Sequence, residues 1–267
     1  MALPALNHAD GPPRMTAQGP IRTDCFLMEA IAIDWLRAQL DHDRAVALSG
    51  GDPLVRHQLE TLGHARLPEH FRGPLADARV CFLGPHVVLD PAEAPPTPDA
   101  GFDEYLAYYN QQRAERRDPY GHYTAIMDGQ PWLATELIHW HARKDLALAA
   151  VPATIDQTLA ITWRLLAETP VEVLVLTGND ALQWVLPRLG RRFGKLTGVT
   201  RLHGQTLGRF AHPGAPDRAL TVVASFHWSP EMPLFVRKVP ALAGLKPAEA
   251  ISGARKMISA AIGGALR

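Results

Sequence analysis

The chain has 267 residues, 47% hydrophobic and 20% charged, with 27 Lys+Arg against 27 Asp+Glu. That is enough chain for one well-buried α/β domain with an added helical segment. Two cysteines, Cys25 and Cys81, exclude a zinc site or an iron–sulfur cluster built from cysteine alone, and no apolar run reaches the ~20 residues needed to span a bilayer.

The charge is unevenly spread. From Val185 onward there are 13 Lys+Arg and 3 Asp+Glu, which leaves 14 and 24 before it, so the two parts carry +10 and −10. Such a split marks either a surface for a polyanion or two parts that pair with each other. The cysteine count suits a reducing cytosol, and a cytoplasmic location is expected. Cys81 lies in an apolar run and reads as a buried small hydrophobe.

Residues 1–20 combine proline and glycine with no apolar core behind a basic start, and read as a disordered leader rather than a secretory signal. Residues 21–267 read as a single domain, with N-terminal helices over 24–65. The first, "DCFLMEAIAIDWLRAQLDHD", has Asp24 as its N-cap. The second, "DPLVRHQLETLGHARL", is opened by Asp52-Pro53 and closed at Gly63.

"ARVCFLGPHVVLD" is strand-like, broken at Gly84-Pro85, and two endpoints are open: Asp90-Pro91, or Gly84-Pro85-His86. "FDEYLAYYNQQRAERR" is helical, "DPYGHYTAIMDGQP" a loop and "WLATELIHW" a strand. "VPATIDQTLAITWRLLAET" carries an apolar stripe of Ile155, Leu159, Trp163 and Leu166, as a helix does. "VEVLVLTG" is nearly all apolar, as a strand buried on both faces is. "NDALQWVLPRLG" is a helix, "RLHGQTLGRF" a basic loop or hairpin, "ALTVVASFH" a buried strand, and residues 246–266 the last helix.

Strands alternating with helices predict an α/β fold, a three-layer α/β/α sandwich on a four-stranded parallel sheet. In such sheets working groups gather at the carboxyl ends of the strands. That rule selects Asp90, the Thr135–His139 region, Thr177-Gly178 and His227. An aspartate and a histidine from different strands can position a water and stabilise a leaving group. Thr177-Gly178 lets backbone approach a ligand at a helix N-terminus. No nucleotide-binding, zinc-protease or α/β-hydrolase signature is present.

Taken in order, these segments resemble the uracil-DNA glycosylase superfamily: "VVLDPAE" as its first motif, then "LATELIHWHARKD", "TPVEVLVLTGNDAL", "RLHGQTL" as an R-x-H-G loop, and "HWSP" as its second motif. The resemblance spans roughly Ala78 to Lys238. It implies extrusion of a damaged base from DNA into a pocket at the strand ends. It further implies Asp90 and His227 as the catalytic pair, with Gly84, Phe102, Tyr105 and Glu136 around the base. Ser229, Arg201, His203, Gly204, Thr177 and Gly178 would then lie along the DNA. The chain departs from the family's iron–sulfur branches in lacking their cysteines, and Trp228 stands where a small proline is usual. The expectation is a cofactor-free, monomeric DNA glycosylase acting on uracil or another deaminated base. The alternatives are a non-catalytic nucleic-acid binder on the same fold, or a small-molecule enzyme using Thr177-Gly178.

Overall fold

A computed structural model of the chain describes residues 34–111, 120–191, 202–228 and 239–267. It opens with α1 (Asp34–Ser49) and α2 (Pro53–Leu62). The Asp52 side chain accepts the Leu54 N–H at 2.7 Å, and Gly63, at φ 76°, ends α2 in the left-handed region. Both are the terminal signals seen in the sequence. Then follow β1 (Val80–Gly84), α3 (Phe102–Tyr109), α4 (Tyr120–Met127), β2 (Leu133–Glu136), α5 (Pro152–Ala167), β3 (Val173–Thr177) and α6 (Gly178–Val185). β4 (Thr206–His212), β5 (Ala215–Ser225) and α7 (Pro247–Ala265) complete the chain.

The sheet has five strands in the order β2-β1-β3-β5-β4, not the four expected. β1, β2, β3 and β5 run parallel, and β4 pairs antiparallel with β5. The extra strand is the "QTLGRF" stretch. Its burial alternates because it lies at the sheet edge, and Gly208 and Arg209 dilute the strand signal in its sequence. A second correction concerns "DPYGHYTAIMDGQP", whose Tyr120–Met127 part is helical rather than loop. This helix buries Tyr120, His122, Tyr123, Ile126 and Met127, residues from several sides, so no polar face betrays its period. Asp128, at φ 48°, and Gly129, at φ 81°, stop it.

Alternate strand residues enter two apolar clusters. Cys81, Leu83, Leu133, Leu174, Leu176 and Val222 pack with α1, α2, α3, α5 and α6. Val80, Phe82, Ala134, Val173, Val175 and Val223 pack with α4 and α7. Helices therefore cover both faces, which is why the strands read as continuous apolar runs. Cys81 is fully buried, and burial pushes its thiol well above the ordinary range. Trp228 also belongs to the α4–α7 cluster: its indole N–H donates to Ser225 Oγ at 3.0 Å and its ring stacks on His122.

β2 lies at one edge of the sheet. The irregular segment from Ala65 to Gly73 covers it, with Arg72 and Ala134 exchanging two backbone hydrogen bonds of 2.8 Å. Covering an edge this way removes a row of unpaired amides and carbonyls. It also brings Glu69, His70 and Arg72 beside the end of β2. Among the described residues no helix is long and apolar enough to cross a membrane.

Candidate functional site at the carboxyl ends of the strands

β1 stops at Gly84, because Pro85 has no N–H to continue the ladder. Leu83 and Gly84 lie in register with Thr135 and Glu136 of β2, and Leu176 and Thr177 of β3 lie in register with Ala224 and Ser225 of β5. The four strand ends therefore present Gly84, Glu136, Thr177 and Ser225 side by side.

Two glycines permit close approach there. A Cβ on Gly84 would sit 2.0 Å from Glu136 Oε2, so the carboxyl rests directly on the β1 backbone. Gly178 has φ 84°, and a Cβ there would sit 2.9 Å from the His227 Cβ. Its left-handed backbone turns β3 into α6 and leaves room for the histidine. His227 itself is exposed. Thr177 Oγ donates to the Leu83 carbonyl at 2.9 Å, tying β3 to β1 just below the edge.

The Glu136 carboxyl is buried and its Oε2 has no hydrogen-bond partner. Burial raises its pKa well above the ordinary 4.5, and the neighbouring Glu69 raises it further. Glu69 is equally buried but moves the other way. Burial alone would raise it; the charge and hydrogen bonds of Arg72 outweigh that, and the net shift is downward. Arg72 Nε donates to Glu69 Oε1 at 2.9 Å, and the Tyr120 hydroxyl donates to the same oxygen at 2.7 Å. The two neighbouring carboxyls are pushed in opposite directions, a separation that active sites commonly exploit.

His86 follows the Gly84-Pro85 break. Burial lowers its pKa, and the neighbouring His227 lowers it further. Its ring nitrogens lie near the Arg143 and Lys144 backbone without completing a hydrogen bond of normal geometry. A neutral imidazole has an acceptor nitrogen to offer. On the α4 side, Tyr123 stacks on Phe82 with centroids 4.1 Å apart, and its hydroxyl reaches the Thr177 side chain.

His203 donates through Nε2 to Asn179 Oδ1 at 3.0 Å and stacks on Phe226, which fixes the first turn of α6. Burial lowers its pKa to about 4.

Of the residues selected from sequence, Gly84, Glu136, Thr177, Gly178 and His227 come together at this edge, with His203 behind α6. Others do not. Asp90 is exposed, six residues beyond the end of β1, and its Oδ1 accepts the Ala92 N–H at 2.9 Å in a local turn. The break at Gly84-Pro85-His86 is the strand end, and Asp90-Pro91 is not. Phe102 lies under the Arg37 guanidinium, 4.1 Å from its ring centre, within the cluster formed with α1. The Tyr105 hydroxyl donates to the Pro68 carbonyl at 2.9 Å and accepts the His70 N–H at 3.2 Å. Both aromatics are packing residues. Gly204 faces α7, where a Cβ would sit 2.7 Å from Met257 Cε, rather than lying open along a strand of DNA. Ser229 and Arg201 lie outside the described residues.

Glu69, Arg72, Tyr120 and Tyr123 were not singled out from sequence as site residues. The first two come from an irregular segment, and the tyrosines from the helix whose period is hidden. The acid–base spacing of Glu69 and Arg72 was the one local signal. No protein-family model matches the chain, and no curated protein is significantly similar to it.

Proposed function

We propose that this chain is a DNA glycosylase on a three-layer α/β/α frame, which draws uracil or another deaminated base out of DNA and hydrolyses its N-glycosidic bond. The observation that supports this most is the gathering of His227 and His86 with Glu136 over two glycines at the carboxyl ends of parallel strands, where the pKa of Glu136 is pushed up and that of its neighbour Glu69 down. His227 donates a hydrogen bond to the departing base, stabilising the charge that develops there. His86, neutral and close to His227, orients the attacking water in place of Asp90. The protein acts in the cytoplasm as a monomer, without a cofactor.

The test is release of free base from oligonucleotides carrying uracil, hypoxanthine or xanthine. The expected result is excision of at least one of them, with His227→Ala slowing the single-turnover rate by about 10²–10³, the loss typical of one transition-state donor. No release from any of the three by the wild type overturns the reading. Full rate in His227→Ala overturns the assignment of His227.

The position of Asp90 favours a second reading. With that carboxylate exposed and engaged in its own turn, the same edge binds an extruded base without cleaving it. Salt-sensitive binding to DNA with no base release is its signature.

A further inference from the structure

We propose that the Glu136 carboxyl reads the hydrogen-bonding edge of a bound nucleobase, and that it reads lactam and amidine edges alike. This rests on the base-binding reading above and extends it to the class of base accepted. Glu136 ends β2, lies against the Gly84 backbone, and holds a buried oxygen without a partner at the place where the strand ends converge.

A buried polar atom left unpaired is destabilising, and a ligand that pairs with it would relieve that cost. The ionisable groups that bear on the carboxyl are Glu69 from the edge-covering segment, Cys81 from β1, and Tyr120 and Tyr123 from α4. Arg72, the nearby cation, gives Nε and Nη2 to Glu69, and its Nη1 makes no hydrogen bond to Glu136. Nothing in this set supplies Glu136 with a positive partner, and the Glu69 anion opposes a second negative charge. Burial and the neighbouring Glu69 therefore favour the protonated form of this carboxyl.

A protonated carboxyl has one donor and retains acceptor capacity. With the proton on one oxygen, it gives O–H to a ring carbonyl and accepts from the adjacent ring N–H, the edge of uracil, hypoxanthine and xanthine. With the proton on the other oxygen, it gives O–H to a ring nitrogen and accepts from an exocyclic amine, the edge of cytosine and adenine. Among the described residues no hydrogen bond pins Oε2 to one role. A site built around fixed donors and acceptors rejects the wrong edge strongly; this one lacks that fixture. Discrimination between damaged and normal bases then falls to the ease of extrusion, which is greatest for a mispaired base.

The experiment is a ligand-observed NMR titration of the full chain with free uracil, cytosine and 3-methyluracil, in the wild type, Glu136→Gln and Glu136→Ala. Uracil and cytosine are expected to bind within about tenfold of each other, and 3-methyluracil, its edge blocked, at least tenfold more weakly. Glu136→Gln, which keeps a neutral donor and acceptor, is expected to retain binding, and Glu136→Ala to lose at least tenfold. A uracil-to-cytosine preference beyond tenfold, 3-methyluracil binding as well as uracil, or no free base binding at all overturns the proposal using wild-type protein alone. Undiminished binding by a folded Glu136→Ala also overturns it. If free bases bind in the expected pattern while no lesion is excised, the hydrolytic reading fails and this one stands. If Glu136→Ala still excises at the wild-type rate, the reverse holds.

Discussion

Glu69 and Glu136 are both buried carboxyls, yet their pKa values are pushed in opposite directions. The difference lies in their partners: Glu69 has a guanidinium and a phenol, while Glu136 has an anion for a neighbour. The asymmetry has a thermodynamic consequence. The folded-state pKa of Glu136 is raised, so between its ordinary value of 4.5 and that raised value the folded protein binds more protons than the unfolded chain. Stability contributed by this group is therefore complete below the ordinary value and is lost as pH rises. Glu136→Gln removes the loss. Its stability advantage over wild type should be near zero at pH 4 and grow by at most about 1.4 kcal/mol per pH unit, the slope of one proton. It should level off once Glu136 ionises in the folded state. Urea denaturation of both proteins across pH checks this, and a gap that does not change with pH refutes it.

At the scale of the elements, the segment from Ala65 to Gly73 does two jobs. It covers the edge of β2 through the Arg72–Ala134 bridge, and it delivers the Arg72–Glu69 pair to the strand ends. Arg72 is fully buried and its guanidinium lies 4.9 Å from the Tyr109 ring centre. Arg72→Met would strand the Glu69 anion in a low-dielectric site next to Glu136, at a cost of about 3–5 kcal/mol. The double variant Arg72→Met, Glu69→Gln should recover much of that, because the stranded charge is gone. Chemical denaturation of the three variants decides the point: a double variant as unstable as Arg72→Met alone would mean that packing, not charge, dominates there.

The same segment shows why the site was only partly legible in sequence. β1, β3 and β5 are buried on both faces, so they announced themselves as apolar runs, and the strand-end rule then selected Asp90, the Thr135–His139 region that holds Glu136, Thr177-Gly178 and His227, while Gly84 came from the family resemblance. Glu69 and Arg72 belong to no periodic element. α4 is wrapped by the sheet and α7, which removes the polar face that would have marked it, and β4 is an edge strand broken by Gly208. Asp90 attracted attention because an apolar run precedes it. Pro85 interrupts that run, and the chain past it makes an isolated bridge between Val88 and Ala142 and a Val87 N–H bond to the Ile138 carbonyl rather than a strand. The buried chain from Asp43 through His70 to His139, linked by two contacts of 2.7 Å, is likewise assembled from three separate segments and left no local trace.

For the whole molecule, the proposed reading ties the +10 charge of the last third to a polyanionic partner. Neutralising Z phosphates of a duplex releases counterions, so the logarithm of the binding constant falls with the logarithm of salt concentration at a slope near −0.9Z. With about six phosphate contacts, affinity should fall by roughly a thousandfold between 50 and 200 mM salt. A charge split serving only to hold the two parts of the chain together would leave DNA binding weak and nearly flat with salt. Lys144 provides a local probe. It is exposed, and its backbone lies beside His86 at the carboxyl edge. Lys144→Ala should weaken binding to matched and lesion-bearing duplexes alike and reduce the slope by about one contact. His227→Ala should leave the slope unchanged, since a group that touches the base releases no counterion. Fluorescence anisotropy across a salt series separates these outcomes. An unaltered slope in Lys144→Ala would place the phosphate backbone elsewhere on the protein.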